Sequence, residues 1–594
     1  MKMNSILIAL PLLLAACSDD ATSANDPATV STDVIAPVLT TKAGTALTVA
    51  TDKAVYKPGE SVRFTVGGTL PASARIRYRH GMDVIADEQL SSTSWTWAPP
   101  STDYTAYMAD IYTAEGSTAE TVYATIAVDV ASNWDRYPRY GFISSYDQSK
   151  TSATIAQEMQ LLNRCHINGL QFYDWQYKHH WPLGGTPGAL LDTYTDIAQR
   201  EISTAVVKDY IAQAHSQGMK AMFYNLCFGV LDDAASDGVK PSWYLFTDNA
   251  HSKNDKHSLP SSWKSDIYLV DPANTEWQSY IADRNDDVYA ALDFDGFHID
   301  QLGDRGTIYD YYGSVKNLPN GYASFINAMK ERQPQKSLVM NAVSNYASER
   351  IVGTGKVDFM YSELWSGEDQ YSDLHDILKN NRAYAGSESK AQVFAAYMDY
   401  NHAKPYFNTP GVLLTDACMF ALGASHLELG DGHMLCSEYF PNTDVQMTDE
   451  LKQNIIAYYD FLTAYQHLLR NGGTEMKADL ATSSSAVSLA TWPPRLGTVT
   501  TFARKVDGCE VVSLLNFSQA TSLSWRDLDG TQPEPTLLSN ITLRLRATGV
   551  KRLWVASPDS LGGAPQELNF RQEGEFVTFT VPSLKYWTMI VAEH

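Results

Sequence analysis

The sequence predicts a three-domain protein in which a central (β/α)8 barrel lies between two antiparallel β domains. Strand-like and helical segments alternate between about residues 137 and 471, and this order is typical of a parallel sheet with crossover helices. Segments on both sides of that region alternate between polar and apolar residues with a period of two, which indicates antiparallel sheets. The length of 594 residues leaves room for three or four domains.

The N-terminal 36 residues predict an export signal and a tether. Residues 1–16 contain one Lys, a short apolar run and small residues, as a signal peptide does. Leu14-Ala15-Ala16-Cys17 resembles the bacterial lipobox, which implies lipidation of Cys17, although an ordinary cleavage site before an incidental Cys is the alternative. Residues 17–36 are rich in Ser, Thr, Ala and Asp and predict a flexible tether. Ser18-Asp19-Asp20 resembles the acidic surface-export signal of Bacteroidetes lipoproteins.

These features predict a bacterial outer-membrane lipoprotein, at the cell surface or facing the periplasm. The apolar run before Cys17 is shorter than the ~20 residues that a transmembrane helix needs. We therefore expect the lipid anchor to be the only membrane contact.

Residues 37–131 predict an immunoglobulin-like β-sandwich. Short alternating stretches such as Ser61–Val66 and Thr121–Val128 are separated by turn residues such as Lys57-Pro58-Gly59-Glu60. No carboxylate pair or His cluster stands out in this region. We expect it to be a spacer or a support for the next domain.

Residues 132–488 predict the barrel, with eight strand candidates. They are Tyr140–Ser144, Gly169–Trp175, Lys220–Asn225, Gly296–Asp300, Leu338–Asn341, Asp358–Glu363, Val393–Tyr397 and Ser425–Leu429. Ile155, Met159 and Leu162 share one helical face, and another helix is expected from Ser203 as N-cap to Gly218. Eight such units fit a (β/α)8 barrel. A doubly wound sheet is the alternative, but no Gly-rich phosphate loop follows the first strand.

Residues 489–594 return to the period of two and predict a C-terminal antiparallel β domain. The clearest segments are Val511–Phe517, Phe576–Pro582 and Trp587–Ala592. Such domains are often attached to sugar-cleaving barrels.

Composition, charge and the spacing of cysteines and histidines argue against nucleic acid as a partner and against a metal cofactor. The chain has 45 Lys and Arg against 68 Asp and Glu, a net charge of −23, which disfavours nucleic acid. Aromatic residues make up 11% and suit stacking on neutral sugars. Beyond Cys17 there are five widely spaced cysteines, which predict buried free thiols, although Cys418 and Cys436 could pair. The histidines lack metal-ligand spacing, so we expect neither a metal nor another cofactor.

The predicted strand ends carry carboxylates, amides and aromatic residues. Barrel active sites lie at these ends, and this chemistry without a Ser/His/Asp order indicates carbohydrate cleavage. A retaining glycosidase needs two carboxyl groups about 5–5.5 Å apart. Asp300 ends the fourth strand, where alternation puts His298 and Asp300 on one face, and Glu363 ends the sixth.

Four blocks together resemble glycoside hydrolase family 66. They are Tyr140–Ser144, Gln171–His180, Gly296–Gly306 and Tyr361–Trp365. The family contains endo-dextranases and cycloisomaltooligosaccharide glucanotransferases, and its order of an immunoglobulin-like domain, a (β/α)8 barrel and a Greek-key β domain covers nearly the whole mature chain. The resemblance implies that Asp300 is the nucleophile, that Glu363 is the acid/base, and that α-1,6-glucosidic bonds of dextran are cleaved with retention.

The other predicted site residues are sugar contacts at or near strand ends. They are Tyr173, Asp174, Trp175, His180, Asn225, His298, Asn341, Trp365, Asp399 and Asp431. The expected partners are dextran and isomaltooligosaccharides, with a polysaccharide-uptake system as a candidate partner, and we expect a monomer.

Length favours an endo-dextranase that releases linear products. The cyclising enzymes of the family resemble the dextranases but carry an additional β module inserted in the barrel, and here the longest insertion, about Leu226 to Ala290, has no room for ~100 more residues. Cycloisomaltooligosaccharide glucanotransferase remains an alternative, as does a different retaining α-glycosidase, for instance one acting on α-galactosides. A non-catalytic surface glycan-binding lipoprotein is a third.

Overall fold

The central domain is a barrel of eight parallel strands, and all eight strand predictions are confirmed. The strands are β1 (Tyr140–Ile143), β2 (Gly169–Phe172), β3 (Lys220–Leu226), β4 (Gly296–Asp300), β5 (Ser337–Val343), β6 (Met360–Glu363), β7 (Gln392–Ala395) and β8 (Ser425–Leu427). Each strand pairs with the next along the chain. The backbone N–H of Phe142 donates to the carbonyl of Leu429 at 3.1 Å and joins β8 to β1.

Helices surround the strands. They are α1 (Ser152–Arg164), α2 (Thr204–Ser216), α3 (Thr275–Ala291), α4 (Leu318–Arg332), α5 (Ser348–Val352), α6 (Tyr371–Ala385), α7 (Thr409–Leu422), α8 (Asp449–Ala464) and α9 (Gln466–Leu469). The predicted face of α1 is buried, and Thr151 caps its first turn. Ser203 is the N-cap position of α2 as predicted. Gly218 follows α2 with φ of 79°, and a Cβ there would lie 2.5 Å from the carbonyl oxygen of Val55.

The loops at the carboxyl ends of β2 and β3 contain short strands of their own. They are Gly185–Thr186, Ala189–Leu190, Thr193–Thr195, Glu201–Ser203, Gly229–Val230, Lys256–His257 and Ile267–Leu269. The single-turn 3₁₀ helices Ala234–Asp237 and Pro241–Trp243 lie in the second of these loops.

Alternate residues of each barrel strand face the interior or the helices. The interior cluster takes one residue in two, such as Phe142 in β1 and Met222 in β3. Their neighbours, such as Phe223, join the larger cluster that the strands form with the helices. This parity decides which strand-end side chains reach the mouth of the barrel.

The N-terminal domain is a two-sheet sandwich. One sheet has the order Leu39–Lys42, Ala119–Val130, Thr105–Glu115, Arg75–His80 and Asp83–Gln89, and the other contains Thr48–Thr51, Val62–Gly67 and Ser94–Trp97. Aromatic rings fill the space between the sheets, with Tyr78 stacked on Trp97 at 4.0 Å. The sandwich is fastened to the barrel by a fully buried ion pair, in which Arg139 lies 2.5 Å from Asp129.

The C-terminal domain consists of two antiparallel-rich sheets, and it begins earlier than the predicted boundary at residue 489. One sheet contains Thr474–Met476, Val499–Val506, Cys509–Asn516, Trp587–Glu593, Arg552–Ala556 and Gln566–Glu567, with Leu489–Thr491 on Val499–Val506; the other contains Leu480–Thr482, Leu538–Arg546, Phe576–Leu584 and Phe570–Glu573. Leu561–Gly563 forms a 3₁₀ turn. The first two strands have three residues each, too short to show a period of two in the sequence.

A loop of the C-terminal domain holds the barrel segment that follows β6. The indole N–H of Trp525 donates to the carbonyl of Glu368 at 2.7 Å. Arg526 donates to the carbonyl of Leu364 at 2.5 Å and forms an ion pair with Asp369 at 2.8 Å. We call residues 525–530 the clamp loop.

The computed structural model describes residues 38–44, 47–438 and 440–594. The predicted signal peptide (1–16) and tether (17–36), with Cys17, lie outside the described residues. Among the residues that are described, none of the helices combines the length and hydropathy needed to cross a bilayer. Cys165, Cys227, Cys418 and Cys436 are buried free thiols, as predicted, and Cys509 is a half-buried one.

Candidate active site

The two predicted catalytic carboxylates meet at the mouth of the barrel. Asp300 is the last residue of β4 and Glu363 the last of β6, and β5 lies between these strands. The side chain of Asn341 in β5 is therefore placed between them. Both carboxylates are half-buried, whereas Asn341 is only 4% exposed.

The Asn341 amide bridges the carboxylates. Its Nδ2 donates to Asp300 Oδ1 at 2.8 Å and to Glu363 Oε2 at 2.9 Å. Because the two N–H bonds of a planar amide diverge by about 120°, these two oxygens lie about 5 Å apart. This separation fits a retaining glycosidase, since an inverting enzyme needs about 6.5–9.5 Å to accommodate a water.

Two tyrosines complete the hydrogen bonds of the pair. Tyr224 of β3 donates to Asp300 Oδ2 at 2.7 Å. Tyr397, two residues beyond β7, donates to Glu363 Oε1. The five residues Tyr224, Asp300, Asn341, Glu363 and Tyr397 thus form one continuous chain, which we call the carboxylate chain.

Burial and mutual repulsion keep one proton on the carboxylate pair. Desolvation, with the negative charge of Glu363, raises the pKa of Asp300 to about 7. Desolvation also raises the pKa of Glu363. Two carboxylates so close cannot both ionise readily, so around neutral pH the pair can hold one carboxylate and one proton together.

Aromatic side chains surround the pair. Tyr173, just beyond β2, packs against Tyr224 at 4.8 Å and stacks on Phe440 at 4.1 Å. On the other side Trp365 packs against Tyr397 at 5.2 Å. Tyr173 and Trp365, which the sequence predicts as sugar contacts, therefore do lie at the mouth, as does Asn341.

Trp175 lies in the core and not at the mouth, where the sequence places it, and Asp174 next to Tyr173 is held by an arginine. Trp175 is fully buried, its ring packing against Phe294 at 5.1 Å and its N–H bonded to the carbonyl of Tyr224. It is a core residue because β2 ends at Phe172 and alternation does not continue to it. Asp174 is buried at φ of 47° and accepts from Arg200 at 3.1 Å.

His180 and Asn225 hold loops instead of facing the mouth. His180 is fully buried, with Nε2 2.9 Å from Asp237 and Nδ1 accepting from the backbone of Leu231. Asn225 points to the helix side of β3 and bonds twice to His179 at 2.8 Å. The sequence predicts both residues as sugar contacts at the mouth, and the structure places neither side chain there.

The remaining predicted contacts are also internal. His298 faces the barrel interior beneath Asp300, 3.2 Å from the hydroxyl of Tyr140, and desolvation lowers its pKa to about 3. Asp399 is buried and accepts from the backbone of Asn408 in a segment next to the clamp loop. Asp431 accepts from both the backbone and the hydroxyl of Ser144 and so fastens β8 to β1.

Sequence reasoning missed four polar or aromatic residues near the pair. Tyr224 and Tyr397 also stand at predicted strand ends, one residue before Asn225 and two residues before Asp399, which the sequence predicts as sugar contacts. Tyr400 packs against Trp365 at 6.3 Å and donates to Glu438 at 2.5 Å. Strand parity separates Tyr224 from Asn225 but not Tyr397 from Asp399, which lie two residues apart. No local signal marks Tyr400 or Glu438.

Two groups of side chains among the described residues could hold a metal ion. One is His180, Asp233 and Asp237, where the ammonium of Lys178 already lies 2.6 Å from Asp233. The other is the buried group Asp416, His426 and Glu428. Neither group includes a member of the carboxylate chain.

Comparison with known proteins gives a consistent match. The sequence profile of Glycosyl hydrolase family 66 matches residues 51–591. A cycloisomaltooligosaccharide glucanotransferase of Niallia circulans is 27% identical over 91% of this chain and 72% of its own length. A dextranase of Streptococcus salivarius is 24% identical over 78% of this chain and 64% of its own.

Among solved structures, a Paenibacillus cycloisomaltooligosaccharide glucanotransferase complexed with cycloisomaltoheptaose superposes with a TM-score of 0.84. The two chains are 26% identical, and the match covers 92% of this chain and 99% of the other. The fold described above is therefore shared with that relative.

Proposed function

Because this chain belongs to glycoside hydrolase family 66, we propose that it is a retaining endo-hydrolase of α-1,6-glucan, with Asp300 as nucleophile and Glu363 as acid/base. The observation that carries the proposal is the pair of carboxylate oxygens about 5 Å apart, joined by the Asn341 amide.

The first step forms a covalent intermediate. Asp300 attacks the anomeric carbon of the sugar while Glu363 donates its proton to the glycosidic oxygen. The bond between that carbon and oxygen breaks, the leaving chain departs with the proton, and a glucosyl ester of Asp300 forms. Tyr224 and Asn341 stabilise the carboxylate of Asp300 before attack by donating to both of its oxygens.

The second step reverses the roles. The ester carries no charge, so the repulsion that Asp300 exerts on Glu363 is gone and Glu363 remains ionised more easily. Glu363 accepts a proton from water, the water oxygen attacks the anomeric carbon, and the ester bond to Asp300 breaks. Two inversions give net retention.

The substrate is inferred from the relatives and from the lining of the site. The relatives above are named for isomaltooligosaccharides and for dextran. Trp365, half-buried beside Glu363, offers a face for a neutral sugar ring, and Tyr173 adds an aromatic wall stacked on Phe440. Hydrolysis of dextran follows the dextranase relative. The internal position of the cut and the linear isomaltooligosaccharide products are part of this proposal.

Cyclising transglucosylation is the second candidate, and the glucanotransferase relatives favour it. The loops of this barrel argue against it as the main activity. The longest, between β3 and α3, is occupied by one small sheet and two 3₁₀ turns. The described residues include no additional β module between barrel strands.

One incubation with dextran tests the proposal. We expect linear products, a viscosity that falls faster than reducing ends appear, and the α-anomer first in proton NMR. Cyclic products as the main output would assign the chain to the glucanotransferases. A β-anomer first would mean inversion and a wrong role for Asp300.

A further inference from the structure

The loop after β8 reaches the aromatic groups at the mouth of the barrel through Phe440. Phe440 stacks on Tyr173 at 4.1 Å and packs against Phe142 of β1 at 4.8 Å. His433 lies 2.5 Å from the carbonyl of Phe440 and ties the loop to its own base. Glu438 belongs to the same loop.

Glu438 belongs to the Glu363 side of the site. Its Oε2 accepts from the hydroxyl of Tyr400 at 2.5 Å. The Tyr400 ring lies 6.3 Å from Trp365 and 6.3 Å from Tyr397, the residue that donates to Glu363. Within the part of the chain that the structure describes, Oε1 of Glu438 has no hydrogen-bond partner, and the side chain is only half-buried.

We propose that Glu438 binds the sugar on the leaving-group side of the bond that is cleaved. Its free oxygen accepts a hydrogen bond from a hydroxyl of that sugar, and Tyr400 holds the carboxylate in place. The inference rests on the proposed function, because it takes Glu363 to be the acid that faces the leaving oxygen.

The location of Glu438 in the site places it on the leaving-group side of the cleaved bond. The anomeric carbon lies between Asp300 and Glu363, and the leaving sugar lies beyond Glu363. Glu438 is connected through Tyr400 to the aromatic groups around Glu363. Its negative charge also raises the pKa of Glu363, which favours placing the proton of the pair on the acid. Glu438 is thus a binding residue that also helps to set the state of Glu363.

A pair of substrates tests the proposal. Isomaltosyl fluoride leaves the leaving-group side empty of sugar, whereas isomaltopentaose fills it. For Glu438→Gln we expect kcat/KM on isomaltopentaose to fall about 10- to 100-fold, the range for a lost hydrogen bond to a charged group. On the fluoride kcat/KM should stay within about 2-fold, since that interaction is not used.

Two further readouts separate binding from a structural role. The alkaline limb of the pH profile should move to lower pH in Glu438→Gln, because a negative charge near Glu363 is removed. Tyr400→Phe, which keeps the ring, should show the same substrate preference to a smaller degree. Asp304→Asn removes an exposed carboxylate from the loop after β4 and should leave the ratio of the two kcat/KM values as in the wild type.

The outcomes are distinct. If the wild type hydrolyses neither substrate, the proposed function fails and this inference fails with it. If the wild type is active and Glu438→Gln keeps the wild-type ratio, or slows both substrates equally in a protein of unchanged melting temperature, the inference alone is overturned.

Discussion

The Asn341 amide should set the pH range in which the enzyme works. In Asn341→Leu both hydrogen bonds to the carboxylates are lost while the side-chain volume is nearly kept. Asn341 Oδ1 has no hydrogen-bond partner among the described residues, so no other side-chain bond is sacrificed. Each lost bond to a charged acceptor is worth about 1.5–3 kcal/mol.

Because one pKa unit corresponds to about 1.36 kcal/mol, that loss raises the pKa of each carboxyl group by about 1–2 units. The pKa values rise because the lost hydrogen-bond donors favour the ionised forms of the carboxyl groups. The pKa of Asp300, which desolvation and the charge of Glu363 raise to about 7 in the wild type, would then rise to about 8 or above. The pKa of Glu363 rises with it, so the alkaline limb moves to higher pH. The acid limb moves up as well, so activity on the acid side falls about 10- to 100-fold.

The assay is the pH dependence of kcat/KM on isomaltopentaose. Tyr397→Phe removes one donor from Glu363 and should move mainly the alkaline limb upward. Asn320→Leu, an exposed asparagine of α4, is the matched control and should leave both limbs in place. If Asn341→Leu gives limbs within about 0.3 pH units of the wild type, the amide does not control the ionisation of the pair.

Other perturbations test the roles of single residues. Glu363→Gln should slow dextran cleavage by about 10²–10⁴, with less effect on an activated substrate and partial rescue by azide; normal activity on dextran would mean that another carboxylate is the acid. Asp300→Asn should lose activity on dextran and on the activated substrate alike, measured as product release. Trp175→Ala should lower the free energy of unfolding by about 3–5 kcal/mol in a denaturant titration, and a stable variant with weakened sugar binding would restore it to the site. Cys17→Ala should move the protein out of the membrane fraction if lipidation anchors it, and an unchanged distribution would contradict that anchor.

Strand parity explains which site residues could be predicted. Alternation alone predicts that His298 and Asp300 lie on one face of β4. The same rule applied to β3 selects Tyr224, which bonds to Asp300, in place of Asn225. On β7 it directs Tyr397 to the barrel interior, but Asp399 lies two residues further and has the same parity, so the rule does not separate these two. The sequence therefore contains the information that places Tyr224, whereas the difference between Tyr397 and Asp399 depends on where the chain turns after β7, at Asp399 with φ of 51°.

Loop residues followed no such rule. Trp175 and His180 come after β2 ends, where the chain turns and neither a period of two nor a helical period orients a side chain. Tyr400 and Glu438 meet across 38 residues of sequence, and their contact depends on how the loop after β8 is anchored. A local pattern does not report such a contact.

The clamp loop makes the barrel an incomplete catalytic unit. A chain ending at residue 488 would keep all eight strands and both carboxylates, but it would lose Trp525 and Arg526, which hold the backbone between Leu364 and Asp369. That backbone carries Trp365 beside the acid. Exchange of C-terminal domains between relatives would therefore alter the active site from outside the barrel. Heating that loosens the C-terminal domain should abolish activity at a lower temperature than the one at which the barrel unfolds.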